Sequence, residues 1–92
     1  MNCYVYIVQC SSETLYTGIT SNVRKRIEQH NGLRWGGLFH TKMHRPVFLQ
    51  HIERFETRSE ARKRELQIQS WSHDEKIVLL KSTTKSQILS AI

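Results

Sequence analysis

The sequence is short of aspartate, proline and long apolar runs. Asp74 is the only aspartate among the eight acidic residues, which excludes a site built from clustered aspartates. Any metal chemistry must therefore use few protein ligands. No segment approaches the roughly 20 consecutive apolar residues of a membrane span, and the N-terminus lacks the charged start and apolar run of a signal peptide. We expect a soluble, cytoplasmic protein with no membrane partner.

Cysteine is also scarce, and Cys3 and Cys10 both lie in the first predicted strand. The extended chain between them separates the two thiols by roughly 23 Å, far beyond the reach of a disulfide. No CxxC pair is present, and His40 and His44 have a zinc-finger-like spacing but no cysteine partners. We expect buried thiols in a reducing compartment and no zinc site.

Positive charge is abundant. The 92 residues include 14 Lys and Arg against 8 Asp and Glu, which gives a formal charge of +6 and a pI near 9.8. This length suffices for one domain with one modest core. The charge favours a polyanionic partner, of which nucleic acid is the commonest.

The hydrophobic pattern predicts an α/β fold of the α+β type, in the order β-β-α-β-α-α, with a small three-stranded antiparallel sheet flanked by helices. Asn22 is a plausible N-cap for the first helix, and Thr57 with Glu60 and Ser72 with Glu75 predict capping boxes for the other two. The predicted strands cover residues 3–10, 15–20 and 47–55, and the predicted helices cover residues 22–31, about 58–70 and 73–81.

The first two strands form a hairpin whose register the sequence leaves open. An odd number of loop residues would place Tyr6 opposite Gly18 and on the same face of the sheet as Tyr16. An even number would put the two tyrosines on opposite faces.

Two helices carry polar residues where a core is expected. Ala61, Glu65 and Ile68 follow an i, i+4, i+7 pattern, so a carboxylate lies within the apolar stripe, which is costly unless it is paired or bound to a metal. A salt bridge to a neighbouring arginine, or a rotated stripe that exposes Glu65, would explain it structurally. Arg26 and His30 lie beside the apolar edge of the first helix, where a solvated arginine and a core histidine are the plain interpretation.

Residues 32–46 hold three of the four glycines, the only proline and five Lys, Arg or His residues. One interpretation is a connection anchored to the core by Trp35 and Phe39. The other is a basic clamp that contacts phosphates and stacks on bases. The candidate nucleic-acid-binding residues are Arg34, Trp35, His40, Lys42 and Arg45.

Four motifs occur in a characteristic order: VYIV, YTGIT about ten residues later, R-x-x-x-H-N, and A-x-x-x-E-x-x-I. Together they resemble the GIY-YIG nuclease domain, in particular its small stand-alone, YhbQ-like members. The resemblance implies a nuclease domain over residues 1–80 and a C-terminal tail over residues 81–92. Tyr4, Thr17 and Gln69 depart from the family pattern, where glycine, isoleucine and lysine are usual.

The resemblance implies a divalent-metal-dependent endonuclease that cuts nucleic acid, with DNA expected before RNA, structured DNA as the substrate and DNA repair as the setting. Mg²⁺ or Mn²⁺ would be the cofactor, with Glu65 as the metal ligand, and a protein partner could supply targeting. The catalytic residues carried over from the family are Tyr6, Tyr16, Arg26, His30 and Glu65.

We expect Arg26 to contact the scissile phosphate, Tyr6 to act as the base, and Tyr16 and His30 to orient groups or relay a proton. A non-catalytic nucleic-acid-binding module of the same fold is the main alternative function. A structural domain whose charge is incidental is a third.

Overall fold

The structure is a computed structural model that describes residues 2–11, 13–31, 46–83 and 88. Within these residues the elements follow the predicted order and form a three-stranded antiparallel sheet, so the predicted fold class is confirmed. Arg34, Trp35, His40, Lys42 and Arg45 lie outside the described residues. The elements are β1 (Cys3–Cys10), β2 (Leu15–Thr20), α1 (Val23–His30), β3 (Val47–Phe55), α2 (Arg58–Gln69) and α3 (His73–Lys81).

The sheet has the strand order β2-β1-β3, so β1 is central. Tyr6 pairs with Gly18 and Val8 pairs with Tyr16 in the hairpin of β1 and β2. Cys10 N donates to Thr14 O at 2.9 Å, which leaves an odd number of residues between the two. Tyr6 and Tyr16 therefore lie on the same face of the sheet.

β3 contains one residue more than its partner. Ile7 pairs with His51, but Val8 pairs with Leu49, so Gln50 is the extra residue of a β-bulge. In a regular strand Leu49 and His51 would share a face, because side chains alternate. The bulge places them on opposite faces instead. The alternation of side chains in β3 therefore changes phase at Gln50.

Two hydrophobic clusters cover the two faces. Tyr6, Val8 and Cys10 of β1 pack with Val47 and with Ile27 of α1. The alternate residues of β1 pack on the other face with α2 and α3, through Cys3, Val5, Ile7, Ala61, Ile68, Trp71, Leu79 and Leu80. Both cysteines are free, buried thiols, as predicted.

The predicted caps begin the helices. The Asn22 side chain accepts a hydrogen bond from Lys25 N at 3.0 Å, and Thr57 Oγ1 accepts one from Glu60 N at 3.2 Å. Ser72 forms the full capping box. No helix in the described part of the chain is long and apolar enough to cross a membrane.

Candidate active site

Tyr6 lies at the centre of a group of polar side chains between the hairpin and α1. Its side chain is fully buried, and its hydroxyl lies 2.9 Å from Nε2 of His30, which is also fully buried. Arg26 Nε donates to the same hydroxyl at 3.3 Å. Arg26 and His30 stand one helical turn apart on α1, so a single helix face supplies both partners.

The C-terminal end of α1 is fixed to the start of β3. Asn31 Nδ2 donates to Val47 O at 3.2 Å, and Val47 N donates to Asn31 Oδ1 at 2.7 Å. These two bonds hold the last turn of α1, and with it His30, against the sheet.

Tyr16 completes an aromatic group with Tyr6 and His30. Its ring centroid lies 6.3 Å from that of Tyr6 and 5.3 Å from that of His30, the latter in an edge-on arrangement. Tyr16 is partly exposed. Of the two tyrosines, it is therefore the one that a solvent molecule reaches.

Gly18 is explained by its neighbour across the ladder. A Cβ atom at this position would lie 2.6 Å from the hydroxyl oxygen of Tyr6. The Tyr6 hydroxyl thus occupies the space that any other residue at position 18 would fill. Glycine at this position is a steric requirement of the site.

Burial and charge act in opposite directions on the tyrosines. Burial raises the pKa of Tyr6 to about 12, although Arg26 opposes the shift. Burial likewise raises the pKa of Tyr16 against the effect of Arg26. Burial works to lower the pKa of Arg26, but its hydrogen bonds and its charge interactions with both tyrosines raise it, so the guanidinium stays charged.

Glu65 is the buried acid of the predicted apolar stripe, and only 6% of its surface is exposed. It forms an ion pair with Arg62, one turn earlier on α2, whose side chain is 56% exposed. The salt bridge considered from the sequence is therefore present. The alternative of a rotated stripe that exposes Glu65 is wrong.

A cavity of about 370 Å³ joins these elements, and we call it the active-site cavity. Tyr6, Tyr16, Gly18, Arg26 and Glu65 line it together with Ile19, Arg58 and Arg62. His30 is fully buried, contacts the Tyr6 hydroxyl and is not a lining residue of the cavity.

Arg58 and Arg62 are cavity residues that sequence reasoning missed. Their signal was available, because Arg58, Arg62 and Glu65 have the same i, i+4, i+7 spacing as a helix face. Gln69, where the family usually has lysine, donates from Nε2 to Thr17 O at 3.3 Å and so contacts β2.

The donor set around Glu65 fits a particular kind of metal. Within the described residues no group of three or more His, Cys, Asp or Glu side chains could hold an ion, which does not suit zinc. One carboxylate that opens into a cavity with room for water suits Mg²⁺, which keeps much of its hydration. Glu65 is the residue that would hold it.

The geometry agrees with a comparison of the sequence with known families. Residues 2–77 match the GIY-YIG catalytic domain. The chain belongs to the GIY-YIG family. GIY-YIG domains are nuclease domains that typically use divalent metals, and membership implies a nucleic-acid substrate.

Relatives within the GIY-YIG family carry the name UPF0213 protein. One from Syntrophus aciditrophicus is 47% identical over 78 residues, which cover 85% of this chain and 88% of that protein. One from Staphylococcus aureus is 46% identical over 78 residues and is covered to 93%.

Solved structures show the same fold. A solution NMR structure from E. faecalis gives a TM-score of 0.61 at 32% identity and covers 89% of this chain and 85% of that one. The solution NMR structure of a UPF0213 protein from Bacillus halodurans gives a TM-score of 0.57 at 28% identity and covers 88% of this chain and 84% of that one. The chain is thus a small GIY-YIG family member of this type.

Proposed function

We propose that this GIY-YIG protein is a divalent-metal-dependent endonuclease that hydrolyses phosphodiester bonds in nucleic acid, with structured DNA as its substrate. One observation carries the proposal: a single cavity brings together a buried carboxylate, tyrosine hydroxyls and three guanidinium groups. Cytoplasmic localisation, a role in DNA repair and a targeting partner belong to the same proposal.

Arg26 and Arg62 are the groups that contact the scissile phosphate, and Arg58, which lines the same cavity, adds positive charge beside it. Phosphoryl transfer places negative charge on the phosphoryl oxygens, and fixed cations lower the energy of that state. Arg26 is already held in place by Tyr6 and Gln29. Such a preset guanidinium loses little entropy when the ligand arrives, and its planar fork suits a phosphate better than a lysine would.

Glu65 supplies the metal ligand. When bound, the ion would act as a Lewis acid on the phosphate and lower the pKa of a water. Arg62 pairs with the Glu65 carboxylate and would have to leave it for Glu65 to hold an ion. Because Arg62 is on the exposed side of the pair, it can swing away without unpacking the core.

The two tyrosines divide the remaining work by their burial. A tyrosine with a pKa near 12 would need roughly 7 kcal/mol to serve as a base at pH 7, and the Tyr6 hydroxyl is already held by Arg26 and His30. This favours Tyr16 as the hydroxyl that contacts the attacking water. Tyr6 and His30 then act as positioning residues for Arg26.

One observation favours the alternative of a binding module without chemistry: Glu65 already has a cationic partner. In that case Arg62 would neutralise Glu65 permanently, and the arginines would bind the nucleic acid. The same experiment separates the two functions.

The test compares the wild-type protein with Glu65→Gln and with Glu56→Gln as a matched control, because Glu56 is an exposed acid that does not line the cavity. Each is incubated with labelled single-stranded, duplex, flapped and branched DNA and with RNA, in Mg²⁺, Mn²⁺ or EDTA.

We expect cleavage by the wild type and the control, and none with EDTA or by Glu65→Gln. Undiminished cleavage by Glu65→Gln would contradict the metal role of Glu65. Salt-sensitive binding without cleavage by any of the proteins would establish the binding module instead.

A further inference from the structure

A second cavity adjoins the active-site cavity, and we call it the flanking cavity. Its volume is about 510 Å³. Ile19, Arg26 and Arg58 line both cavities. Lys25 and Gln29 also line the flanking cavity, and within the described chain none of its lining residues is acidic. It therefore presents three cations to a ligand.

Arg26 forms the boundary between the two cavities. Its Nε donates to Tyr6 Oη at 3.3 Å, and Tyr6 lines the active-site cavity. Its Nη1 donates to Gln29 Oε1 at 3.1 Å, and Gln29 lines the flanking cavity. The guanidinium is thus fixed from both sides, and a chain of linked anions that crosses from one cavity to the other passes beside it.

Two of the three cations of the flanking cavity, Lys25 and Arg58, stand in the first turn of a helix, where helix stability disfavours them. α1 has no acidic residue in its first turn, and Arg24 and Lys25 occupy that turn instead. Arg58 is the first residue of α2. A positive charge at the start of a helix meets the positive end of the helix dipole. Since Lys25 and Arg58 do not stabilise their helices, an anionic ligand accounts better for their position.

We propose that the flanking cavity binds the phosphate adjacent to the scissile one on the same nucleic acid strand, with Lys25 and Arg58 as its cationic contacts. Linked phosphates must leave the active-site cavity along a path, and the flanking cavity is an adjoining path lined by cations. Phosphate contacts carry no base information, so this subsite is sequence-independent. The inference rests on the proposed function in taking nucleic acid as the ligand.

The test measures binding separately from cleavage. A labelled single-stranded oligonucleotide is titrated in EDTA by fluorescence anisotropy over a series of salt concentrations. The proteins are the wild type, Lys25→Ala, Arg58→Ala and Lys63→Ala. Lys63 is the matched control, because it is an exposed lysine of α2 that lines neither cavity. Circular dichroism checks that each variant is folded, and Arg58→Ala serves if Lys25→Ala is not.

We expect Lys25→Ala and Arg58→Ala each to weaken binding several-fold and to reduce the slope of log K against log salt by about 0.7, the value for one phosphate contact on a single strand. Lys63→Ala should bind like the wild type. Equal binding by Lys25→Ala and Lys63→Ala would overturn the proposal, and so would a wild type that does not bind at low salt.

Cleavage assays on the same preparations keep this inference apart from the proposed function. Selective loss of binding by Lys25→Ala, with no cleavage by the wild type, would support the flanking cavity and reject the nuclease. Cleavage by the wild type, with full binding by Lys25→Ala and Arg58→Ala, would support the nuclease and reject the flanking cavity.

Discussion

Two carboxylates pair with arginines of α2, and their surroundings differ. Glu53 of β3 accepts from Arg64 at 2.8 and 3.1 Å and lies 2.7 Å from His51 Nε2. Glu65 lies in a cavity, and within the described chain Arg62 is the partner found for it. Protein groups make three hydrogen bonds to the Glu53 carboxylate, while Glu65 keeps more of its hydrogen-bonding capacity for a ligand. An ion pair near a sheet can therefore stabilise the fold or hold a reactive group, and the number of donors distinguishes the two.

The Arg64 side of α2 has further structural contacts. The Arg64 guanidinium lies 5.1 Å from the ring centroid of Trp71, which packs against the core. Thr83 Oγ1 is hydrogen-bonded to Nδ1 of His51. These contacts join β3, α2 and the end of α3. The Arg62 side of the same helix contacts solvent and the active-site cavity instead.

The largest effect is expected when each of the two carboxylates is replaced by an amide in a separate variant. We expect Glu65→Gln to lower cleavage at least about 10³-fold, because the metal ligand and its charge are lost, with little change in the free energy of unfolding. Glu53→Gln should lower the free energy of unfolding. At temperatures where this variant is folded, it should cleave like the wild type. Cleavage rates and urea denaturation of both variants test this. If Glu65→Gln destabilises the fold as much as Glu53→Gln does, the contrast between the two pairs is wrong.

The second effect concerns stability and pH at Glu53. Burial works to raise the pKa of Glu53, but the hydrogen bonds from His51 and Arg64 outweigh it and lower the pKa from 4.5 to about 2. A lowered pKa stabilises the fold fully above about pH 4.5, and this stabilisation is lost as the pH falls towards about 2. We expect roughly 3 kcal/mol of such stabilisation.

Urea denaturation from neutral to acid pH, on the wild type and on Glu53→Gln, measures this term. The variant should be less stable at neutral pH and should lose less stability on acidification. Parallel pH curves for the two proteins would contradict the assignment.

The third effect sharpens the cavity side of the comparison through Tyr16. We expect Tyr16→Phe to reduce cleavage about 10²-fold, as removal of a group that acts on the proton of water does. Burial raises the pKa of Tyr16 above its ordinary value of 10.0, so the ionised fraction of Tyr16 is still growing with pH throughout the neutral range. Cleavage by the wild type should therefore rise across the neutral range and beyond.

A pH–rate profile of Tyr16→Phe and Tyr6→Phe tests this assignment. Tyr16→Phe should flatten the profile, while Tyr6→Phe should lower the rate and keep its slope. A wild-type profile that levels off below neutrality would indicate a histidine as the proton acceptor instead.

The smallest effect is expected at Gly18. A methyl group at this position must displace the Tyr6 hydroxyl, because its Cβ would lie 2.6 Å from that oxygen. We expect Gly18→Ala to lower cleavage about tenfold through misplaced Arg26, since small errors in positioning are costly. In the double variant with Tyr6→Phe the hydroxyl is absent, so the added cost of alanine should shrink. A double-mutant cycle measures this coupling, and additive effects would contradict it.

The sequence predicted the elements well because their signals are local. Alternating apolar residues marked the strands, and Asn22, Thr57 and Ser72 marked helix starts that the structure confirms. The burial of Glu65 followed from the spacing of its neighbours. These features depend on residues within one or two turns of each other.

The rest depends on contacts that join distant residues. The hairpin register rested on an unknown loop geometry, in which Glu13 adopts a positive φ of 67°. The pairing of Arg64 with Glu53 requires knowing which side of α2 meets β3. The burial of Tyr6, which bears on its role as a base, follows from packing beneath Gly18. The division into residues 1–80 and 81–92 stays a prediction, as do the roles of Arg34, Trp35, His40, Lys42 and Arg45.

The bulge at Gln50 determines how β3 responds to the deletion of a codon. Loss of that one codon keeps the reading frame and removes a partly exposed glutamine that lines neither cavity. The deletion would leave Leu49 and His51 adjacent, and regular alternation would keep them on opposite faces across from Val8 and Ile7, so both halves of β3 would keep their layers. An in-frame deletion at this codon should therefore be tolerated better than deletion of a paired residue of β3, which would move neighbouring side chains to the wrong face.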